Sequence, residues 1–175
     1  MTALLEVEDL HVRFPTRTRT IHAVRGVSFT LGKERLGIVG ESGSGKSQTG
    51  RAILGLTPFP GEVEAKRLAF DGIDLRSATR QTWRSLRGGR ISMVMQDPKF
   101  SLNPVMRVGR QIMEAYRAHS PASAAEARDR AVAMLEAVQI RDPGRVMRAY
   151  PHELSGGMGQ RAMIAMMLIT DPDLL

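Results

Sequence analysis

The sequence predicts an α/β protein, in which a mixed body is followed by a largely helical segment. The first observation is a short apolar stretch at residues 35–40, which runs directly into the glycine-rich stretch ESGSGKS and then into a segment of helical character. The second is a change of texture beyond Gln96, where turn residues lead into two long segments of helical character. Short apolar strands that alternate with helices are typical of α/β folds.

The α/β body is predicted to comprise residues 1–96. Apolar runs and loose alternation predict its strands, and the pairs Asp-Gly, Gly-Gly and Thr-Pro predict where elements end. The predicted strands are Leu4–Phe14, Ala23–Leu31, residues 35–40, Arg67–Phe70 and Ile91–Met95, and the predicted helices are Ser47–Leu56 and Thr79–Leu86.

Residues 97–154 are predicted to form a helical insert with helices at Val108–His119 and Ala122–Val138. The second helix carries one apolar stripe at helical spacing, which predicts core packing. Residues 155–175 then hold a further helix and the stretch DPDLL, which is interpreted as a turn followed by the start of a buried strand. The stripe consists of Ala131, Met134, Leu135 and Val138.

Composition indicates a globular domain and excludes several classes of protein. The 175 residues are 42% hydrophobic and contain no cysteine, so disulfides and thiolate metal sites are excluded. The longest uninterrupted apolar run, Ala162–Ile169, is far shorter than the roughly 20 residues of a membrane-spanning helix. The start MTALLEVEDL lacks the pattern of a signal peptide, so we expect a protein that is not exported.

The net charge of +7 includes a group of arginines at helical spacing. A solvated basic face is the plainer interpretation, and attraction to phosphate, as nucleotide or lipid headgroup, is the alternative. Nucleic acid is not expected as a partner, because the arginines are scattered and only two Tyr and one Trp could stack on bases. The group consists of Arg80, Arg84 and Arg87 at helical spacing on one face, with Arg76 and Arg90 flanking them.

Residues 40–47, GESGSGKS, match the pattern G-x-x-x-x-G-K-[ST]. Glycines allow successive backbone N–H groups to point into one hollow, and a helix that begins near Lys46 adds the positive end of its dipole. The Lys46 ammonium can reach the β- and γ-phosphates, and the Ser47 hydroxyl can bind Mg²⁺. A merely flexible Gly-Ser loop is disfavoured, because the preceding apolar stretch and the following helix are the context that the motif requires.

A second motif, LSGGMGQR, begins at Leu154. By itself it could be a loop that ends in a helix N-cap, since serine is a good cap. Together with the phosphate loop it resembles the signature of the ATP-binding cassette (ABC) ATPases, whose Walker A motif the loop resembles. Gln96, in MVMQDP, occupies the position of that family's Q-loop glutamine. The stretches AVRGVSFTL, MVMQDPKFSLNP and YPHELSGGM further resemble the ATP-binding subunits of dipeptide, oligopeptide and nickel importers.

The resemblance implies a P-loop NTPase fold with a parallel core sheet, an N-terminal antiparallel β subdomain and a helical subdomain, in one incomplete domain. Phe14 takes the place of the aromatic residue that stacks on adenine; a core residue at the end of a strand is its alternative. Ser47 and Gln96 are implied as metal-site residues, and Gln96 also as catalytic. The residues implied to hold ATP and Mg²⁺ are Gly40, Glu41, Ser42, Gly43, Ser44, Gly45, Lys46, Ser47 and Gln48.

The resemblance also implies partners. Ser155, Gly156 and Gly157 are expected to grip the nucleotide of a second ABC subunit, in a homo- or heterodimer. Integral membrane permease subunits and a separate substrate-binding protein complete such importers, which places this chain at the cytoplasmic face of the inner membrane. A soluble ABC protein of translation or DNA repair is a weaker alternative, because the insert has no heptads.

Three departures from the family pattern are present. Met158 replaces the signature glutamine, as is usual in the peptide-importer subgroup, and Gly159 replaces an arginine, which is expected to weaken the signature helix. In the family, DPDLL is followed by the Walker B strand, its Asp-Glu pair and a switch histidine, and these are absent from the sequence. The resemblance implies the ATP-binding, energy-coupling subunit of such an importer, and the alternative is a truncated, non-hydrolysing nucleotide-binding fragment. From this chain itself we expect ATP binding without turnover.

Overall fold

The computed structural model describes residues 3–95 and 101–175, and the chain divides into two compact units. The unit that ends at Trp83 contains one antiparallel sheet of five strands, and the unit that begins at Arg84 is mainly helical. The predicted α/β class is confirmed by this combination of an antiparallel β part with helices.

The sheet of the first unit is built on a long hairpin. Strands β1 and β2 pair antiparallel over most of their length, and β1 also pairs with β4 and, farther along, with β3. The order of the main path is β2-β1-β4-β5. The strands are β1 (Leu5–Pro15), β2 (Thr20–Leu31), β3 (Glu62–Glu64), β4 (Arg67–Phe70) and β5 (Ile73–Asp74).

The predicted strand at residues 35–40 is wrong. None of these residues lies in a strand, and Leu36, Ile38 and Val39 are 46%, 49% and 94% exposed. A strand requires ladder hydrogen bonds to a neighbour, and no backbone group of the described residues pairs with residues 35–39. The apolar pattern is therefore present without the pairing that would convert it into a strand.

Helix α1 spans Lys46–Ile53 and ends three residues before the predicted boundary at Leu56. The reason is Gly55, which adopts the left-handed φ of 60° and allows the Leu56 N–H to donate to the Arg51 carbonyl at 2.7 Å. Glycine just beyond a helix stabilises such a termination, because it accepts positive φ without a steric cost. Helix α2 spans Arg80–Leu86, close to its prediction.

The helical unit encloses an apolar core in which the predicted stripe takes part. Ala131 and Leu135 are fully buried, and Met134 and Val138 pack against the same core, so the predicted role of the stripe is confirmed. Ser123 and Glu126 form a capping box at the start of its helix. The helices are α3 (Val108–Arg117), α4 (Ala124–Ala137), α5 (Pro143–Arg148), a 3₁₀ turn (Pro151–Glu153) and α6 (Gly156–Leu168).

A short parallel contact in the second unit replaces the predicted strand at Ile91–Met95. Ile91, which is 1% exposed, bridges Leu174 in parallel, whereas residues 92–95 lie outside any strand. The Ser92 N–H donates to the Leu174 carbonyl at 2.9 Å. Leu174 makes this one bridge and is half-buried, and Leu175 is 60% exposed and not buried as expected, so the described residues show no buried strand at this point.

At least two of the five predicted basic-face arginines, Arg76 and Arg90, form ion pairs within the described part of the chain. Arg76 contacts Asp74 at 2.7 Å and holds the pKa of that carboxyl at about 2, and Arg90 contacts Asp173 at 2.7 Å. Partial burial lowers the pKa of Arg87. These contacts favour the plainer interpretation of the group as a structural and solvated surface.

Candidate functional site: a phosphate loop and a capped glycine helix

The loop at residues 40–48 has the backbone that an anion nest requires. Gly43 and Gly45 adopt left-handed φ values of 82° and 97°, and the Ser44 N–H donates to the Glu41 carbonyl at 3.2 Å. A Cβ at Gly43 would meet no atom within 4 Å, so the hollow beside it is open. Alternation of ordinary and left-handed residues turns successive N–H groups toward a common centre.

Helix α1 begins at Lys46, directly after this loop, and its N-terminus has no side-chain cap. Its first turn contains no acidic residue, so no carboxylate of that turn competes for the free N–H groups. The Oε1 atom of Gln48 is buried and has no hydrogen-bond partner among the described residues. An uncapped helix start beside an open hollow provides donors for a phosphate group.

Lys46 folds its side chain back over the loop. Its Nζ atom donates to the carbonyls of Gly40 and Glu41 at 2.6 and 2.7 Å and lies 3.3 Å from the Ser44 hydroxyl. The charge is therefore already held at the rim of the hollow, on carbonyl oxygens that a phosphate could replace. Ser47 is exposed, with its hydroxyl available at the start of the helix. Glu41 and Ser42 are exposed.

Gly45 lies against the β hairpin without room for a side chain. A Cβ at this position would lie 2.2 Å from the Ala23 carbonyl oxygen and 3.3 Å from Cγ2 of Val24. Both contacts belong to β2, so the end of the phosphate loop packs directly on that strand. The hairpin therefore fixes where α1 begins.

Phe14 lies on β1, where it pairs with Ile21 of β2. Its side chain is half-buried, and Ile21 is 45% exposed. Ala23, which contacts the phosphate loop, lies two positions beyond Ile21, about 7 Å along the strand at the usual rise of ~3.3 Å per residue. The aromatic ring and the phosphate loop thus belong to the same end of the hairpin. Gln96 lies outside the described residues.

The signature residues form the start of helix α6. Ser155 is its N-cap, and its hydroxyl accepts a hydrogen bond from the Met158 N–H at 3.4 Å. Gly156 and Gly157 are exposed, and a Cβ on either would meet nothing within 4 Å. The helix continues through Gly159, which is buried and donates its N–H to the Ser155 carbonyl at 2.9 Å.

Sequence reasoning missed the basic surroundings of this helix start. A cleft of about 760 Å³ is lined by Ser155 and Gly157 together with three arginines, Arg141, Arg145 and Arg161. Arg161 is anchored by hydrogen bonds to the carbonyls of Val138 and Gln139 at 3.3 and 2.9 Å. Asp142 also lines the cleft, and its carboxylate accepts from the Arg145 backbone N–H at 2.9 Å.

The arginines come from the segment before α5, from α5 and from α6, so no local sequence pattern predicts that they line one cleft. The signature motif was detectable, but the charge around it depends on the packing of the helical unit. Three guanidinium groups beside a helix N-terminus make this cleft a favourable environment for a polyanion.

The described residues contain no group of three His, Asp or Glu side chains that could hold a metal ion by itself. Ser47 therefore offers a single hydroxyl ligand on the described part of the chain. Mg²⁺ is commonly bound through one or two protein oxygens and the phosphates of the nucleotide, which fits such a site.

The residues 24–175 match the ABC transporter family. The dipeptide transport ATP-binding protein DppD of Bacillus subtilis is 47% identical over 177 residues, which cover 100% of this chain and 53% of that protein. The oligopeptide transport ATP-binding protein OppD of Salmonella typhimurium is 48% identical over 173 residues, which cover 98% of this chain and 51% of OppD. The chain thus spans about half the length of these relatives.

Solved structures show the same architecture. The dimeric structure of MJ0796, a bacterial ABC transporter cassette, has a TM-score of 0.82 at 26% identity, with 96% of this chain and 70% of that chain covered. The cbiO1 protein of Clostridium perfringens, part of the ABC transporter complex cbiONQ, has a TM-score of 0.72, with 98% of this chain and 63% of that chain covered. With a family match over residues 24–175, a phosphate loop at the start of α1 and a serine-capped glycine helix, this chain belongs to the ABC transporter family.

Proposed function

We propose that this chain is the ATP-binding part of an energy-coupling subunit of an ABC importer for peptides or nickel. The observation that carries the proposal is the open phosphate loop with Lys46 at its rim and an uncapped helix directly behind it. The peptide class rests on relatives named as dipeptide and oligopeptide transport ATP-binding proteins. ATP hydrolysis by the complete subunit would follow from the same family membership.

The nucleotide would bind with its phosphates in the hollow of residues 40–48 and its adenine against Phe14. Lys46 would exchange its two carbonyl partners for phosphate oxygens, and the N–H groups at the start of α1 would donate to the same anion. Ser47, with Gln96 by family resemblance, would hold Mg²⁺, which when bound neutralises phosphate charge. A solved relative, MJ0796, has been captured with ADP and Pi.

The signature helix would act on a second subunit. Its exposed glycines and the arginine cleft form an open, positively charged surface, to which the nucleotide bound on a partner could be presented. The MJ0796 cassette is a dimer. We propose a homo- or heterodimer in which ATP lies between the phosphate loop of one subunit and the signature of the other, with permease subunits and a separate substrate-binding protein as further partners.

Titration with a fluorescent ATP analogue tests the binding step, and size-exclusion chromatography with light scattering tests whether ATP and Mg²⁺ convert monomers to dimers. No ATP binding would overturn the proposal. A nucleotide-binding fragment that does not hydrolyse ATP shares the binding step, and steady-state phosphate release distinguishes this alternative from an ATPase.

Gly157→Ala is expected to impair dimer formation and leave the fold intact. A Cβ there meets no atom within 4 Å and alanine favours helix, so the thermal midpoint should not fall. The methyl group would hold a phosphate away from the helix start, which should weaken ATP-dependent dimerisation by at least about tenfold if one charge-assisted hydrogen bond is lost. Light scattering over a range of protein concentrations measures the effect.

Gly144→Ala is the matched control for this variant. Gly144 is also helical and in the same unit, and its Cβ would make only ordinary contacts, the nearest at 3.6 Å. It does not line the arginine cleft. Equal dimerisation by the two variants would contradict the proposed role of the signature helix.

Membrane association is expected to depend on permease subunits and not on lipid. In the described ranges, no helix has both the length and the apolar content for a bilayer span. Arg76 and Arg90 are already ion-paired, so the basic face offers lipid headgroups less charge than its sequence suggests. Flotation with protein-free anionic vesicles at physiological salt measures this. Robust co-flotation with these vesicles at physiological salt would refute the expectation.

A further inference from the structure

We infer that Gly61 is a positioning residue for the adenine site. Because glycine has no side chain, the Phe14 ring can occupy the space that a side chain at position 61 would fill. A Cβ built on Gly61 would lie 2.6 Å from Cε1 of Phe14. The inference rests on the proposed function, in which Phe14 stacks on adenine. It concerns a residue in the segment between α1 and β3, outside every motif described above.

The register of the sheet explains this contact. β3 pairs with β1 at Glu62 and Arg13, and the next antiparallel position places Gly61 opposite Phe14. On its other side Phe14 pairs with Ile21. Phe14 is therefore the middle residue of a row across three chain segments, with a glycine on one flank.

The backbone conformation of Gly61 does not require glycine. Its φ lies outside the left-handed range, unlike those of Gly43, Gly45 and Gly55. The glycine is required by space instead, since its Cβ would also lie 2.5 Å from Cγ2 of Thr57 and 2.8 Å from the Pro58 carbonyl oxygen. Real Cβ atoms do not approach other atoms this closely.

An alanine at this position must therefore displace the Phe14 ring and also shift the turn at residues 57–61, because all three contacts are too short. The Pro58 carbonyl is fixed by a hydrogen bond from the Gly61 N–H at 2.8 Å. Thr57 is β-branched and has one strongly restricted torsion. The Phe14 ring is at the end of a rotatable side chain, so it moves most readily, whereas the contacts with Thr57 and Pro58 are relieved only by a shift of the turn backbone.

Displacement of the Phe14 ring should weaken binding of the adenine base and leave binding of the phosphates unchanged. Stacking depends on the position of the ring, and base–aromatic stacking accounts for roughly tenfold or more in affinity. The phosphate loop contacts the hairpin through Gly45 and Ala23, and neither residue is among the three nearest neighbours of a Cβ at Gly61. The expected signature is a loss of affinity for ATP with unchanged affinity for inorganic tripolyphosphate.

The test uses isothermal titration of the full chain with two probes, ATP and tripolyphosphate, each with Mg²⁺. Gly61→Ala should bind ATP roughly tenfold more weakly and tripolyphosphate as the unsubstituted chain does. Phe14→Leu should show the same pattern. In the Phe14→Leu background, Gly61→Ala should cause no further loss of ATP affinity, because the ring it displaces is absent.

Tripolyphosphate binding also reports whether the variants fold. An equal fall for both probes would overturn the inference, because it would indicate general damage to the unit. Additive losses in the double variant, or unchanged ATP affinity in Gly61→Ala, would overturn it as well. If Phe14→Leu binds ATP with full affinity, Phe14 does not stack on adenine and the inference about Gly61 is refuted. If the unsubstituted chain binds neither probe, the proposed function itself is refuted.

Discussion

Lys46→Ala is expected to abolish measurable ATP binding. Lys46 is the charged side chain at the rim of the phosphate hollow, and its Nζ atom already makes hydrogen bonds to two loop carbonyls. Transfer of those hydrogen bonds to phosphate oxygens would form charge-assisted contacts, each worth about 1.5–3 kcal/mol. The loss of two such contacts corresponds to a fall in affinity of about a hundredfold or more.

Titration of a fluorescent ATP analogue measures this effect, with Lys33→Ala as the matched control. Lys33 is an exposed lysine of the same unit, and its replacement removes the same charge. A specific role predicts loss of binding for Lys46→Ala alone. Similar losses for both variants would indicate a general electrostatic effect, and equal affinities of Lys46→Ala and the unsubstituted chain would refute the assignment of the loop.

Lys46 also holds the loop together, so the variant requires a second measurement. Its hydrogen bonds to Gly40 and Glu41 join the two ends of the loop across the hollow. If the thermal midpoint of Lys46→Ala is unchanged, the loss of binding is attributable to the missing charge. Lys46→Arg retains the charge but spreads it over a larger, planar guanidinium group. This variant is expected to bind ATP poorly, because that group does not fit the position of the compact lysine ammonium.

The features that the sequence predicted well are those whose cause is local. The phosphate loop depends on glycines at fixed spacing, and Gly43 and Gly45 adopt the left-handed conformations that such spacing favours. The stripe in α4 depends on a helical period, and its members Ala131 and Leu135 are fully buried. Ser155 is a good N-cap by residue type and caps α6 in the structure.

The features that could not be predicted depend on residues far apart in the chain. Residues 35–40 have the composition of a strand, but strand formation is decided by a pairing partner, and the described residues provide none. Arg141 and Arg161 are brought to one cleft only by the packing of the helical unit. The space beside Phe14 depends on Gly61, forty-seven positions away, and becomes visible only when the register of β1 and β3 is known.

Gly45→Ala is expected to damage both the phosphate loop and the stability of the first unit. Gly45 has a φ of 97°, a conformation that costs a residue with a Cβ about 1–3 kcal/mol. In addition its Cβ would lie 2.2 Å from the Ala23 carbonyl oxygen, so the loop must move away from β2. Overpacking of this kind costs a further ~1–3 kcal/mol, which predicts a total loss of roughly 2–6 kcal/mol.

Gly43→Ala separates these two contributions. Gly43 has a similar left-handed φ of 82°, but its Cβ would meet nothing within 4 Å. It therefore carries the backbone cost alone, and in urea unfolding it should lose only about 1–3 kcal/mol. The difference between the two variants measures the contact of the loop with the hairpin.

The movement of the loop away from β2 in Gly45→Ala should also weaken nucleotide binding. Gly45 directly precedes α1, so movement away from Ala23 shifts the helix start together with Lys46 and Ser47. Binding of tripolyphosphate, which has no base, should therefore weaken more in Gly45→Ala than in Gly43→Ala. If the two variants lose the same stability and the same affinity, contact with β2 does not position the phosphate loop, and the hairpin has no part in holding the site.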